Sequence, residues 1–381
     1  MARAPALQAG GRRFDSDYLH RFRRLSISGE AFFIEKSGLY HYICKTNSRL
    51  MPNSFTFWWN NARPISLPQS LLPALTAVAL SVGNQEFNVF TAIAAVVGVI
   101  FLHLSLNLLD DWFDYNEGSA EARQKVASEG FRGRMVKYPY LTSGEATHSE
   151  LLKASLCFLL FAAVMGGFVI AFRGWNILFW IAAGLLLGIS YSGGPLKLGF
   201  RGLGEMVIFL MFGPLLMTGI YYSITGVLDL KIIWLSIAVG LLVTNIVYSH
   251  SVLDSIPDAK MGKKTMAHLM GSGKGQIFFS ALLNILPYIM VASGVLLGQM
   301  HPAYLCVFLV LPVSLWLVRS LNDFVNGREV SLEPKKWMGP MGDFEKYRQA
   351  GVDWFLLRWL TARNIVPFFC MILIIVNLIF G

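Results

Sequence analysis

The sequence predicts an all-α polytopic membrane protein with nine transmembrane helices, arranged as two four-helix pseudo-repeats (helices 1–4 and 5–8) plus a ninth helix. Three observations carry that expectation. Of the 381 residues, 55% are hydrophobic and only 14% are charged, with a mean hydropathy of +0.53, whereas a soluble chain carries charge nearer about a quarter. The apolar residues gather into blocks of about twenty with no polar stripe at helical period, as in helices that span a bilayer. Two short acidic runs interrupt this apolar sequence at matching places, closing the second block and the sixth.

Residues 1–50 are polar and Arg-rich, and read as an N-terminal extension that is dispensable to the membrane domain at 51–381. No apolar stretch with a small-residue cleavage site marks them as a secretory signal. Trp58 and Trp59 suit a bilayer interface, and Arg63 its cytoplasmic side. The nine blocks follow at 65–83, 88–109, 152–172, 175–192, 204–225, 231–252, 276–298, 302–321 and 362–380. Connections such as "FRGWN" and "GQMHP" are short, so the helices they join are antiparallel neighbours.

The loops on the other face are longer and far more basic. Those after even-numbered blocks hold 20 of the 32 Lys and Arg residues, and those after odd-numbered blocks hold only Arg173 and Lys231. Such asymmetry predicts a cytoplasmic N-terminus, cytoplasmic long loops and an outside C-terminus, as in a bacterial inner membrane. The formal charge of +9 therefore reflects orientation and predicts no nucleic-acid partner. The four cysteines (Cys44, Cys157, Cys306, Cys370) show no paired spacing and read as packing residues. The last long loop mixes basic residues with Trp337, Trp354 and Trp359, a composition that suits an amphipathic helix lying in the interface.

The first acidic run is "NLLDDWFDYNEG", 107–118. If the helix continues through it, Asn107, Asp111 and Asp114 share a face, with Asp110 turned about 100° away from Asp111. The second run is "VLDSIPDAKMGKKT", with Asp254 and Asp258 four apart. A carboxylate at a helix C-terminus meets the negative end of the macrodipole, so repeating that placement calls for a cation. Oxygen ligands suit Mg²⁺, which takes few protein ligands and shares its sphere with phosphate and water. No Cys/His cluster suggests zinc.

Basic residues stand where a metal-bound diphosphate would need them: Arg132 and Arg134 after the first run, Lys264 after the second, and Lys197 and Arg201 in "YSGGPLKLGFRGLGE". Each reads equally as an anchor on the cytoplasmic face. The glycines of that stretch would let backbone approach a ligand. Tyr191 reads either as an interfacial tyrosine or as a π face for a cation. His250, one turn before Asp254, and His103, one turn before Asn107, read either as contacts to a second substrate or as packing histidines.

From about 55 to 380 the chain resembles the UbiA superfamily of membrane prenyltransferases. Asn107–Asp111–Asp114 and Asp254–Asp258 with "GKKT" look like that family's two aspartate motifs on its second and sixth helices. "NLLDDWFDYNEG", "LTSGE" and "YSGGPLKLGFRGLGE" look most like its menaquinone branch. Where that branch often carries Asn and Arg before the second motif, this chain has His250–Ser251–Val252–Leu253. The resemblance implies Mg²⁺-dependent transfer of a polyprenyl chain from its diphosphate to 1,4-dihydroxy-2-naphthoate, releasing diphosphate and carbon dioxide. Asn107, Asp111, Asp114, Asp254 and Asp258 would hold metal. Asn107, Lys197, Arg201, Arg132, Arg134, Lys264 and His250 would contact substrate, and Asp111, Asp254 and Tyr191 would act in catalysis. Another acceptor (4-hydroxybenzoate, homogentisate, haem or a lipid alcohol) remains an alternative, as does a secondary transporter.

Overall fold

The computed structural model describes residues 54–116, 138–260, 262–328 and 332–381. The 1–50 extension, Arg132 and Arg134 lie outside the described residues. Among those described, the chain is helical throughout, and its one β feature is an isolated parallel bridge between Arg201 and Lys264.

Nine helices carry the fold: α1 (Pro68–Ser81), α2 (Val89–Asn116), α3 (His148–Arg173), α4 (Trp175–Ser192), α5 (Gly204–Thr225), α6 (Leu230–Leu253), α7 (Gly273–Leu296), α8 (Pro302–Val325) and α9 (Asp353–Phe380). All but α1 are long and apolar enough to cross a membrane, which gives eight candidate spans among the described residues where nine are expected. The difference lies in the prolines at the start of the first block. Arg63 adopts a left-handed conformation (φ 62°), Pro64–Ser66 form a 3-10 turn, and Pro68 then opens a helix of 14 residues. At 1.5 Å per residue this covers about 21 Å, short of the ~30 Å hydrocarbon core.

Several helices outrun their apolar blocks because polar ends extend them. Asn88 caps α2, which continues past Asp110, Asp111 and Asp114 to Asn116. A reciprocal capping box of Thr147 and Glu150 starts α3 ahead of its block. The last helix begins at Asp353, nine residues before 362. It thereby absorbs Trp354 and Trp359, which the sequence suggested for a helix lying in the interface, and only Phe344–Gln349 forms a separate short helix there.

Helix contacts use small and polar residues, as expected where lipid removes the hydrophobic drive between helices. Ser105 of α2 and Ser155 of α3 each donate to the other's backbone carbonyl, at 2.9 and 3.0 Å. Asn245 of α6 and Asn284 of α7 exchange side-chain amide bonds at 3.0 and 2.9 Å. Where α5 crosses α6, Gly213 lies against Gly240, in a π-helical turn that includes Pro214.

The main core joins α1, α5, α6, α7, α8 and α9. A second core packs the short helix Phe55–Asn61 onto α2 and α3 through Phe57, Trp58, Leu104, Leu108, Tyr140 and Phe158. That docking delivers Arg63 to the end of α2.

Candidate active site

The two acidic runs close α2 and α6, four helices apart in chain order. Asp111, Asp114, Asp254 and Asp258 are all buried, the last two completely. Burial of carboxylates at the wrong pole of a helix needs cations or hydrogen-bond donors, and the structure supplies both.

At the first cluster, the Arg63 guanidinium lies 3.2 Å from Asp110 and 3.3 Å from Asp111, and donates to the Asn107 carbonyl at 2.7 Å. The Tyr140 hydroxyl donates to the other Asp111 oxygen at 3.1 Å. Burial, and then the neighbouring Asp111 carboxylate, hold the Tyr140 phenol well above its ordinary pKa, so it stays a donor. Asp110 also accepts a hydrogen bond from Ser192 at the end of α4. Asn107 spends both amide hydrogens, on the Ala62 carbonyl at 2.9 Å and on Ser66 Oγ at 3.0 Å. Its Oδ1 is the atom left to act as a ligand.

At the second cluster, α6 ends at Leu253, and Asp254 stands in the turn before the short helix Ser255–Lys260. His250 Nε2 lies 3.5 Å from Asp254, and its ring meets Phe355 edge-on at 5.2 Å. Lys263 lies 3.7 Å from Asp258. Buried Glu205, in the first turn of α5, accepts from Ser251 Oγ at 2.8 Å and from the Met266 amide at 3.3 Å. It ties α5, α6 and the following loop into one unit.

Tyr191 links the clusters. Its neighbour Ser192 bonds Asp110 of the first, and its ring lies against Gly204, next to the Glu205 that bonds Ser251 just before the second. The loop after Tyr191 is stitched to the loop after the second cluster. The Gly202 amide donates to the Lys264 carbonyl at 2.9 Å, and the Lys264 amide to the Phe200 carbonyl at 3.1 Å. This bridge sets Arg201 and Lys264 side by side. Arg201 is exposed and donates to the Pro195 carbonyl at 3.0 Å. Lys197 adopts a left-handed conformation (φ 43°), its side chain lying over Gly194.

The glycines here serve packing rather than open space for a ligand. A Cβ on Gly199 would sit 3.2 Å from the Tyr191 ring, one on Gly204 3.3 Å from it, and one on Gly193 2.8 Å from Phe113.

Among the described residues, no three His, Cys, Asp or Glu side chains gather closely enough to hold a metal ion alone. The donors come instead as paired carboxylates at each helix end, with Asn107 one turn before one pair on the same helix. That set fits a hard cation completing its sphere with phosphate and water.

A model of the "UbiA prenyltransferase family" matches residues 70–331. The chain belongs to the UbiA prenyltransferase family. It is a multi-pass membrane enzyme that transfers prenyl groups. A relative named 1,4-dihydroxy-2-naphthoate octaprenyltransferase from Haemophilus influenzae is 28% identical over 252 residues, covering 63% of this chain and 77% of that one. The Bacillus subtilis protein of the same name is 26% identical over 267 residues, covering 70% and 81%. A solved UbiA homolog from Archaeoglobus fulgidus, described as bound to GPP and Mg2+, shares the fold with a TM-score of 0.53. It is 16% identical and covers 81% of this chain and 99% of that one.

Within this UbiA enzyme, sequence reasoning missed four residues at the clusters: Arg63, Tyr140, Ser192 and Glu205. Arg63 read as an interface anchor, and its contact with Asp110 and Asp111 spans 47 and 48 positions that no local pattern reveals. Glu205 did leave a signal, as an acid opening an otherwise apolar block.

Proposed function

We propose that this enzyme transfers a polyprenyl chain from its diphosphate to 1,4-dihydroxy-2-naphthoate at the end of the bundle where α2 and α6 close. The reading rests on one observation above others. Tyr191 stands at the end of α4 beside Ser192, which bonds Asp110 of the first cluster, and the loop after it is bonded through backbone to the Lys264 segment that follows the second. Two clusters distant in sequence thus face one space.

Asn107, Asp111 and Asp114 would hold Mg²⁺ on one side, and Asp254 and Asp258 on the other. The relative solved with GPP and Mg2+ and the all-oxygen donor set support that choice. Bound there, Mg²⁺ supplies charge neutralisation for the diphosphate as it leaves. Lys197, Arg201, Lys264, Arg132 and Arg134 are the cations available to bind and orient the diphosphate. Its allylic C–O bond breaks with the electron pair departing on the diphosphate. The Tyr191 ring is the π face assigned to stabilising the positive carbon left behind. The acceptor ring carbon bearing the carboxylate attacks that carbon, and its bond to the carboxylate then breaks, releasing carbon dioxide and returning the pair to the ring. The charge asymmetry of the loops supports a cytoplasmic site and N-terminus in a plasma membrane, with the C-terminus outside.

The naphthoate assignment draws on relatives of that name. His250 is the side chain of the 250–253 stretch that can meet the acceptor, since Ser251 bonds Glu205 while Val252 and Leu253 are buried.

The test incubates membranes containing the protein with radiolabelled polyprenyl diphosphate, Mg²⁺ and 1,4-dihydroxy-2-naphthoate, beside Asp111→Ala. A lipid-soluble prenylated naphthoquinol, recovered as its quinone after oxidation by air, is expected, and it should be lost with EDTA and in the variant. Mg²⁺-dependent product with 4-hydroxybenzoate but none with the naphthoate would overturn the acceptor and keep the site.

A further inference from the structure

One turn before Asn107 on α2, His103 engages α1 and the turn before it through both ring nitrogens. Nδ1 lies 2.7 Å from Ser70 Oγ and Nε2 lies 3.0 Å from Ser66 Oγ. Ser66 donates its proton to the Arg63 carbonyl at 2.8 Å and accepts from Asn107 Nδ2 at 3.0 Å. A serine hydroxyl has one proton and two lone pairs. With the proton committed to Arg63 and one lone pair to Asn107, the other lone pair receives the His103 Nε2 hydrogen. Nδ1 then accepts from Ser70, whose proton turns to the ring at 2.7 Å in preference to the Leu67 carbonyl at 3.1 Å. With these roles the shorter contacts are all made, and the longer Ser70–Leu67 contact is the one given up.

We propose that Ser70, His103 and Ser66 form a directional hydrogen-bond relay that holds the Asn107 carboxamide with Oδ1 turned to the first acid cluster. His103 is then a positioning residue, fixed as the Nε2–H tautomer. This inference rests on the metal reading above, with Asn107 as a ligand. Both Asn107 hydrogens point to the Ala62–Ser66 segment, so a flipped amide would set its oxygen against the Ala62 carbonyl. The same serine anchors the left-handed Arg63, whose guanidinium lies on Asp110 and Asp111. One relay thereby sets both the neutral ligand and the fixed cation of the cluster. Partners that orient metal ligands in this way are worth about 10–100-fold in metal affinity.

The test uses the full-length protein in detergent with an inert thiolo-diphosphate analogue of geranyl diphosphate. The readout is the Mg²⁺ concentration giving half of the Mg²⁺-dependent rise in melting temperature, with the metal-free melting temperature as the control for folding. His103→Phe keeps the ring without its bonds, and should raise that concentration about tenfold. His103→Gln, which supplies an amide donor and acceptor, should restore it to within about threefold, as should Ser66→Thr beside Ser66→Ala. Should His103→Phe fail to fold, Ser70→Ala cuts only the far end of the relay and should give a smaller shift in the same direction. An unchanged Mg²⁺ half-point in a folded His103→Phe or Ser66→Ala protein would overturn the relay while leaving the metal reading intact. A wild-type protein that shows no Mg²⁺ response would overturn the metal reading, and the relay's role with it.

Discussion

Gly199→Ala tests whether Tyr191 is held at the reacting carbon or merely fills the loop. The backbone at Gly199 does not need positive φ, so alanine is conformationally allowed, and the cost falls on its neighbour. The new Cβ would lie 3.0 Å from the Tyr191 carbonyl oxygen, 3.2 Å from ring Cζ and 3.3 Å from Cε1. Carbon pairs settle at about 3.5–4.0 Å, so the ring must withdraw by about 0.3–0.5 Å. Overpacking of this kind costs about 1–3 kcal/mol of stability. A displacement of about 1 Å at a reacting centre costs about 100-fold in rate, so half of it should cost about tenfold, or roughly 1.4 kcal/mol of barrier. Tyr191→Leu removes the π face itself; at about 2 kcal/mol for a desolvated cation–π contact, kcat should fall about thirtyfold. Tyr191→Phe keeps that face and should stay close to wild type. The assay is steady-state turnover of radiolabelled prenyl diphosphate, with the melting temperature followed in parallel. KM for the diphosphate should hold, because the cations that bind it are untouched. A Gly199→Ala enzyme with a lowered melting temperature and an unchanged kcat would refute the argument and make Tyr191 a packing residue.

Tyr140→Phe deletes the donor to Asp111 and should lower stability by about 1.5–3 kcal/mol, the worth of a hydrogen bond to a charged group, read by thermal melting. Because the folded phenol titrates above its ordinary value, the difference between wild type and variant should be constant between about pH 6 and 9. It should shrink only as pH rises beyond the unfolded phenol's pKa of about 10, where the unfolded chain begins to ionise. Gly213→Ala puts a methyl 2.5 Å from the Ser236 carbonyl oxygen and 2.6 Å from Gly240 Cα. Neither backbone atom can rotate away, so α5 and α6 must part. Destabilisation at or above the upper end of about 1–3 kcal/mol is expected, and an unchanged melting temperature would show that the crossing is looser than these distances require.

The bundle was legible because apolar blocks of about twenty residues announce membrane helices whatever their packing. The places where the reading departed from the structure have local causes. The block at 65–83 is apolar enough for a span, but Pro64 and Pro68 restrict the backbone before it can settle into a helix, and α1 is left at 14 residues. Hydropathy starts the last helix too late because Asp353 and Arg358 interrupt it ahead of 362. In the structure Arg358 is buried, donating to the Ser320 and Trp354 carbonyls at 3.1 and 2.6 Å and lying over the Phe324 ring at 5.3 Å. A satisfied arginine inside a helix looks in sequence like the end of one. The two acid runs were legible through their electrostatic misplacement, whereas Arg63, Tyr140 and Ser192 became visible only when separate segments were brought together.

How the clusters answer the helix dipole separates them further. Asp254 and Asp258 have their basic neighbours within a few positions in the chain: His250 one turn earlier and Lys263 five residues later. That half of the site is set by local sequence. Asp110 and Asp111 instead meet Arg63, which reaches them because Phe57 and Trp58 pack edge-on against Tyr140, and Tyr140 in turn donates to Asp111. Losing the Phe55–Asn61 helix would therefore remove Arg63, loosen Tyr140 and strip Asn107 of its bonds to Ala62 and Ser66 together. The segment before α1, which hydropathy treats as mere entry to the membrane, thus belongs to the site as firmly as the acids. Ser54 caps that helix through its side chain, so a truncation that removes Ser54 to Asn61 is expected to lower activity, and an unchanged turnover would refute this dependence.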